Sequence, residues 1–411
     1  MQIHVVQSGQ TLYGIARTYG ISVADLSAAN QINPIQTLVI GQALVIPITG
    51  MYYFVQPGDT LYKIGRRFGV NHLRLAQMNA INPIDPLQIG FRLYIPPAPK
   101  TPVESNAYVE AVNGRFTDAA TSAVVEHAPL LTYLAPFSFE ARPDGSLATF
   151  DVSPIKGASA GSGAVLMMAV TNLENGQFSD AVGEAILNDT SVQDVLLDHI
   201  IEAAGEYGFQ DIHFDFEYLR PEDREPYNAF LKKAAQRLHA ERLLISTALA
   251  PKTSASQTGQ WYTAHDYRAH GEIVDFVVIM TYEWGYSAGP PMAVSPIGPV
   301  RQVLEYAKTE IPANKIMMGQ NLYGYDWTLP FVKGGAYARA ISPQTAISLA
   351  RENHAFIEYD YTAQAPFFYY RDASQKQHVV WFEDARSIQA KFDLLKELSL
   401  RGVSYWKLGK S

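Results

Sequence analysis

Apolar residues follow two different spacings along the chain. In the first hundred residues a short mixed pattern occurs twice. Val5 and Val6 open a strand, and Gly9-Gln10-Thr11 turns it. Leu12, Ile15, Ala16 and Tyr19 then fall at helical spacing behind Thr11, a natural N-cap. Gly20 stops that helix, Val23 to Ala29 forms a second, Asn33-Pro34 breaks it, and Leu44-Val45-Ile46 closes as a strand. Sliding the chain by 49 residues repeats the whole pattern. Between residues 3–47 and 52–96, 21 of 45 positions are identical, more than chance produces. The expectation is two small βααβ modules, 2–48 and 51–97. A Pro-rich linker follows at 98–103, within Pro96-Pro97-Ala98-Pro99-Lys100-Thr101-Pro102.

Beyond residue 104 the period changes. Eight short aliphatic runs recur with helical stretches between them: 107–109, 130–134, 165–170, 212–216, 243–248, 276–280, 315–319 and 403–406. Asp223 to Glu241 and Val300 to Lys308 read as amphipathic helices. Eight strands alternating with helices over 104–411 predict an α/β fold, a TIM (β/α)8 barrel. The seventh and eighth strands are too far apart for one helix. Runs near 356–359, 367–370 and 379–382 predict a small β-rich insertion there.

Composition narrows the chemistry. The 40 acidic residues against 32 basic give a net charge of −8 with no basic run, which argues against nucleic-acid binding. The absence of cysteine excludes disulfides and thiol chemistry. The ten histidines show no metal-ligand spacing, so no metal and no cofactor is expected. No apolar stretch is long enough for a membrane span, and the first residues lack the basic and apolar regions of a secretory signal.

The fourth predicted strand holds the candidate chemistry. In Asp211-Ile212-His213-Phe214-Asp215-Phe216-Glu217, alternation sends Ile212, Phe214 and Phe216 toward the helices and the four polar residues toward the barrel axis. A carboxylate pair at the C-terminal end of a barrel strand is where such barrels keep catalytic groups.

The duplicated unit resembles the LysM module in its Gly-x-Thr-Leu turn, the Asn ending the second helix and the final Ile-Pro. LysM modules bind N-acetylglucosamine-containing glycans such as peptidoglycan and chitin. The resemblance places a glycan groove at Gly9, Gln10, Thr11, Leu12, Pro34 and Ile35, and again at Gly58, Asp59, Thr60, Leu61, Pro83 and Ile84. The barrel resembles glycoside hydrolase family 18, whose fourth strand carries Asp-x-x-Asp-x-Asp-x-Glu. Asp215-Phe216-Glu217 matches the end of that motif, while Gln210 and His213 stand at its first and middle acids. Met280-Thr281-Tyr282-Glu283 is similar to the family's Met-x-Tyr-Asp, with Glu for Asp.

The resemblance implies Glu217, Asp215 and Tyr282 as catalytic residues of a substrate-assisted, retaining hydrolysis. Trp406 looks like the Trp that floors the family's central subsite, and Trp284 and Tyr325 are expected to line a sugar cleft by ring stacking. His213, a departure from the family, is expected among the substrate-binding residues, holding Asp215 or titrating beside it. The combined architecture resembles spore cortex-lytic N-acetylglucosaminidases. That implies peptidoglycan or cortex fragments as the partner and the spore coat or cortex envelope as the location. A chitinase, or a non-catalytic glycan-binding coat protein, are the alternative readings.

Overall fold

A computed structural model describes residues 2–409. Eight parallel strands form a closed ring. They are β1 (Glu104–Glu110), β2 (Tyr133–Phe137), β3 (Val165–Thr171), β4 (Asp211–Asp215), β5 (Leu244–Leu249), β6 (Phe276–Ile279), β7 (Ile316–Asn321) and β8 (Gly402–Trp406). Each pairs with the next, and β8 pairs with β1 to close the barrel. All eight runs read from the sequence are strands. The second starts later than its apolar run suggests: Ala128–Leu130 is a 3-10 turn with Leu130 exposed. Pro129, which lacks an N–H, sits in the first positions of that turn.

Outward-facing residues make the main core between barrel and helices. Phe214 packs edge-on against Phe230, and Phe216 stacks on Tyr227, both from the helix Arg224–Ala240. The barrel interior has its own aromatic layer, including Tyr133 stacked on Phe276 at 5.1 Å.

Between β7 and β8 lies a five-stranded antiparallel sheet in the order 339–341, 324–329, 377–381, 365–371, 358–360. It also carries a helix, Pro343–Glu352, that the β-rich reading missed. The start signal was present: Ser342 caps Thr345 N–H and Pro343 occupies the first turn.

Both N-terminal modules are βααβ units with two-stranded antiparallel sheets. Thr11 and Thr60 cap the first helix of each, and Gly20 and Gly69 end those helices in the left-handed region. The modules touch through Tyr52 N–H donating to Gln2 Oε1 at 2.6 Å and Arg92 donating to Thr18 O at 2.7 Å.

The first module is also docked on the barrel insertion. Val39 is buried in a cluster with Ile341, Ala346, Ile357 and Phe368. Ile357 N–H donates to Ile40 O at 2.9 Å, Arg351 to Thr37 O at 2.9 Å, and Arg386 to Gly41 O at 3.1 Å. Gly41 has φ +85°, and a Cβ there would lie 1.8 Å from Ile357 O, so only glycine permits this approach. The equivalent residues of the second module, Gln88, Ile89 and Gly90, are exposed.

Candidate active site

The strand β4 delivers its acids by the alternation read from the sequence. Asp211, His213, Asp215 and Glu217 are all buried on the axial side. Glu217 follows the strand end, and a double clamp fixes its backbone. Asn172 Nδ2 donates to Glu217 O at 2.9 Å, and Glu217 N–H donates to Asn172 Oδ1 at 2.9 Å. Asn172 immediately follows β3, so two neighbouring strands set the position of one carboxyl.

Above the strand ends lies a cavity of about 230 Å³. Asp215, Glu217, Tyr282, Tyr325 and Trp406 line it, as do Tyr108, Phe178, Met280, Glu283 and Tyr323. Trp406 floors it against Phe137 at 4.8 Å and Tyr108 at 5.3 Å between ring centres. Trp284 lines a neighbouring cavity of about 530 Å³ instead. The two share Tyr282 and Glu283, so they meet at the β6 loop.

Burial raises the Asp215 carboxyl above the usual range. Glu217 is pushed well above its ordinary value, first by burial and then by the charge of Asp215, with the Trp261 indole opposing. Two enclosed carboxyls that feel each other's charge cannot both ionise easily, so the pair keeps a proton near neutral pH. Asp215 Oδ1 is buried with no hydrogen-bond partner among the described residues. Tyr282 is also held protonated, by burial and then by nearby Tyr108 and Asp215.

Glu283 adopts φ +68°, rare for a non-glycine residue. Its carboxylate accepts from the Tyr323 hydroxyl and from the Tyr325 hydroxyl at 3.0 Å. Tyr325 is thereby tied to the residue that replaces the family's acid.

His213 sits elsewhere than expected. It is fully buried and lines neither cavity. Its two nitrogens face Tyr108 Oη and Ser246 Oγ, each at 2.8 Å, so neither holds Asp215. Burial pushes its pKa down to about 3, so it stays neutral rather than titrating beside Asp215. Sequence reasoning gave no role to Tyr108, Phe178 or Trp261. The first is an inward residue of β1, and strand parity with Asn106 could have marked it. Phe178 ends a two-residue strand in a short hairpin, Leu173–Glu174 with Gln177–Phe178, and Trp261 lies in a loop; neither segment is long enough to show a pattern.

In the modules, Ile35 and Ile84 are 89% and 85% exposed, beside exposed Pro34 and Pro83. Gly9 and Gly58 turn at φ +78° and +81° with open space where a side chain would be. Thr11 and Thr60 are committed to capping. Asp59 accepts from Tyr53 Oη and Gln56 N–H. Leu12 and Leu61 are buried in the module cores, so they offer a ligand backbone rather than side chain.

A closed (β/α)8 barrel with a carboxyl pair and an aromatic floor at its strand ends defines a glycosidase-type site. The chain belongs to the glycosyl hydrolases family 18, matched over residues 138–410, and carries LysM domains at 4–47 and 53–96. It is homologous to bacterial cortical fragment-lytic enzymes. It is 64% identical over 411 residues to the cortical fragment-lytic enzyme of Bacillus subtilis (strain 168), covering 100% of this chain and 95% of that protein. The crystal structure of the Bacillus megaterium QM B1551 spore cortex-lytic enzyme SleL superposes with a TM-score of 0.93 at 54% identity. That match covers 100% of this chain and 95% of the other. A chitinase from Chromobacterium violaceum ATCC 12472, 24% identical, shares the fold over 75% of this chain and 95% of its own with a TM-score of 0.69.

Proposed function

We propose that this family 18 hydrolase cleaves after N-acetylglucosamine in spore cortex peptidoglycan, with net retention and with the substrate's own acetamido group as nucleophile. The reading rests on one observation above others: Asp215 and Glu217 share an enclosed cavity in which Asp215 Oδ1 has no donor among the described residues. An acetamido N–H would supply that missing donor. Glu217, protonated, gives its proton to the glycosidic oxygen as the C–O bond breaks. The acetamido oxygen closes on the anomeric carbon to form an oxazolinium, and Asp215 accepts the N–H as positive charge develops. Water, deprotonated by the Glu217 carboxylate, then attacks the anomeric carbon from the face the leaving group vacated and opens the oxazolinium, so the two inversions give retention. The Tyr282 hydroxyl, held protonated, donates to the acetamido oxygen and orients it. Trp406 supplies an apolar floor for the sugar ring.

The LysM modules bring the enzyme to its polymer, with Ile35 and Ile84 as exposed contact points beside the prolines. The likeness to spore cortex-lytic enzymes supports a spore coat or cortex location. Glu217→Gln removes the proton donor at nearly constant shape. Its kcat on purified cortex fragments should fall by at least about a thousandfold, in line with loss of a general acid together with the base. Cortex products ending in reducing N-acetylglucosamine would support the reading. Digestion of chitin oligomers alone would favour a chitinase, and undiminished activity of the variant would discard the mechanism.

A further inference from the structure

His213 stands where the related family motif has an acid, yet an acid is present two residues earlier on the same face. Asp211 is fully buried in the barrel floor. Three hydrogen bonds connect it to the cavity. Ser246 Oγ donates to Asp211 Oδ2 at 2.7 Å. The Ser246 hydroxyl has one hydrogen, so toward His213 Nδ1, 2.8 Å away, it can only accept. Nδ1 therefore carries the ring proton. The bare Nε2 then accepts from the Tyr108 hydroxyl at 2.8 Å. Every hydrogen in the chain points away from the cavity and toward Asp211. Tyr108 itself lines the cavity beside Asp215, whose Oδ1 has no donor among the described residues.

We propose that Asp211, Ser246, His213 and Tyr108 form a proton wire. Asp211 is its buried store, and it acts as a positioning residue for Asp215 by setting which way the Tyr108 hydroxyl points. The step balances with one proton taken from the cavity. Tyr108 receives it and passes its own to Nε2. Nδ1 passes its proton to Ser246 Oγ, and Ser246 passes its own to Asp211. No group changes charge except Asp211, which becomes neutral. His213 remains neutral throughout but changes tautomer, and the Tyr108 hydroxyl now points its hydrogen toward the cavity. In that state it faces Asp215 as a donor.

The surroundings of Asp211 suit a store that fills near neutrality. Burial pushes its pKa up to about 7. The Ser246 bond lowers it, Asp275 raises it, Arg401 lowers it and Glu104 raises it. From β2, Tyr133 also feels its charge. At His213 the facing partners are the hydroxyls of Tyr108 and Ser246, and burial alone depresses its pKa. Ser404 contacts the Tyr108 hydroxyl and is itself held by Asn106 Nδ2 at 2.8 Å.

The tautomer is directly observable. In protein carrying 15N-labelled histidine, with His213→Asn used to assign the signal, His213 should be Nδ1–H above pH 8 and Nε2–H below pH 6. It should stay uncharged across that range. In Ser246→Ala and in Asp211→Asn that pH-dependent exchange should vanish. One tautomer throughout in the wild type would overturn the wire, as would an imidazolium signal near pH 6. This test needs no turnover, so it stands apart from the proposed reaction.

The kinetic consequence rests on the proposed role of Asp215. Ser246→Ala should lower kcat about tenfold at pH 5–6, the worth of one hydrogen bond to a charged group, with KM within twofold. The deficit should close above pH 8, where the wild-type Tyr108 points away. An equal deficit at every pH would mark Ser246 as merely structural and overturn the positioning role.

Discussion

The internal duplication supplies its own control for the docking of the first module. Val39 is buried against the barrel insertion, whereas its equivalent Gln88 in the second module is exposed. Val39→Gln therefore writes the free module's residue into the docked one. Burying a valine side chain contributes about 1.5–2 kcal/mol, and an amide placed there also lacks a partner. The dock retains the three hydrogen bonds named above and a fourth, Gln344 Nε2 donating to Gln31 Oε1 at 3.3 Å, each worth about 1 kcal/mol net, so it should weaken rather than vanish. A loss of about 2 kcal/mol multiplies the undocked population roughly thirtyfold.

One amide reports this directly, because Ile357 N–H donates to Ile40 O across the interface. Hydrogen exchange at Ile357 should accelerate about thirtyfold in Val39→Gln. The amide of Val45, bonded to Asn30 Oδ1 inside the module, should exchange as before. The reverse change Gln88→Val should alter neither. Unchanged protection at Ile357 would refute the dock. Equal loss at Val45 would show that Val39 supports the module's own fold instead.

Asp215→Asn should raise the melting temperature, and by more as pH rises. The folded pKa lies above the unfolded one, so ionisation costs stability progressively as pH climbs from about 4. A Tm gain that shrinks with rising pH would contradict this sign. Trp261→Phe removes the N–H that lowers the Glu217 pKa, so the basic limb of kcat/KM should move to higher pH. An unmoved limb would leave Trp261 as packing beside Tyr218. Replacing Ile35 and Ile84 together by Asp should release most of the protein from insoluble peptidoglycan in a pelleting assay. Full retention would place the LysM contacts elsewhere.

Elements with a strong period were legible. The eight barrel strands, the helix behind β4 and the duplicated modules all follow from apolar spacing, because each buries one face. The axial placement of Asp215 and Glu217 follows from parity alone. What parity cannot show is which partner an axial side chain meets. His213 faced the axis as read, but its partners come from β1 and β5, strands more than thirty residues away in sequence. The dock was hidden for another reason. The two modules share most of their core residues, and at the centre of the seam the docked copy has Val39 where the free one has Gln88. Its meaning depends on an insertion roughly three hundred residues later.

The dock also changes what the proline-rich segment does. The chain leaves the first module, passes through the second, and enters β1 at Glu104, while the first module holds the insertion near Ile357. The LysM modules and the barrel are therefore joined twice, once covalently and once by packing. The second module lies inside the loop so formed. A pull applied to the first module divides between the two paths instead of passing through one strand of prolines. A protease that cuts between Pro97 and Val103 severs only one of them. The nicked protein should remain a single particle until the seam at Val39 opens.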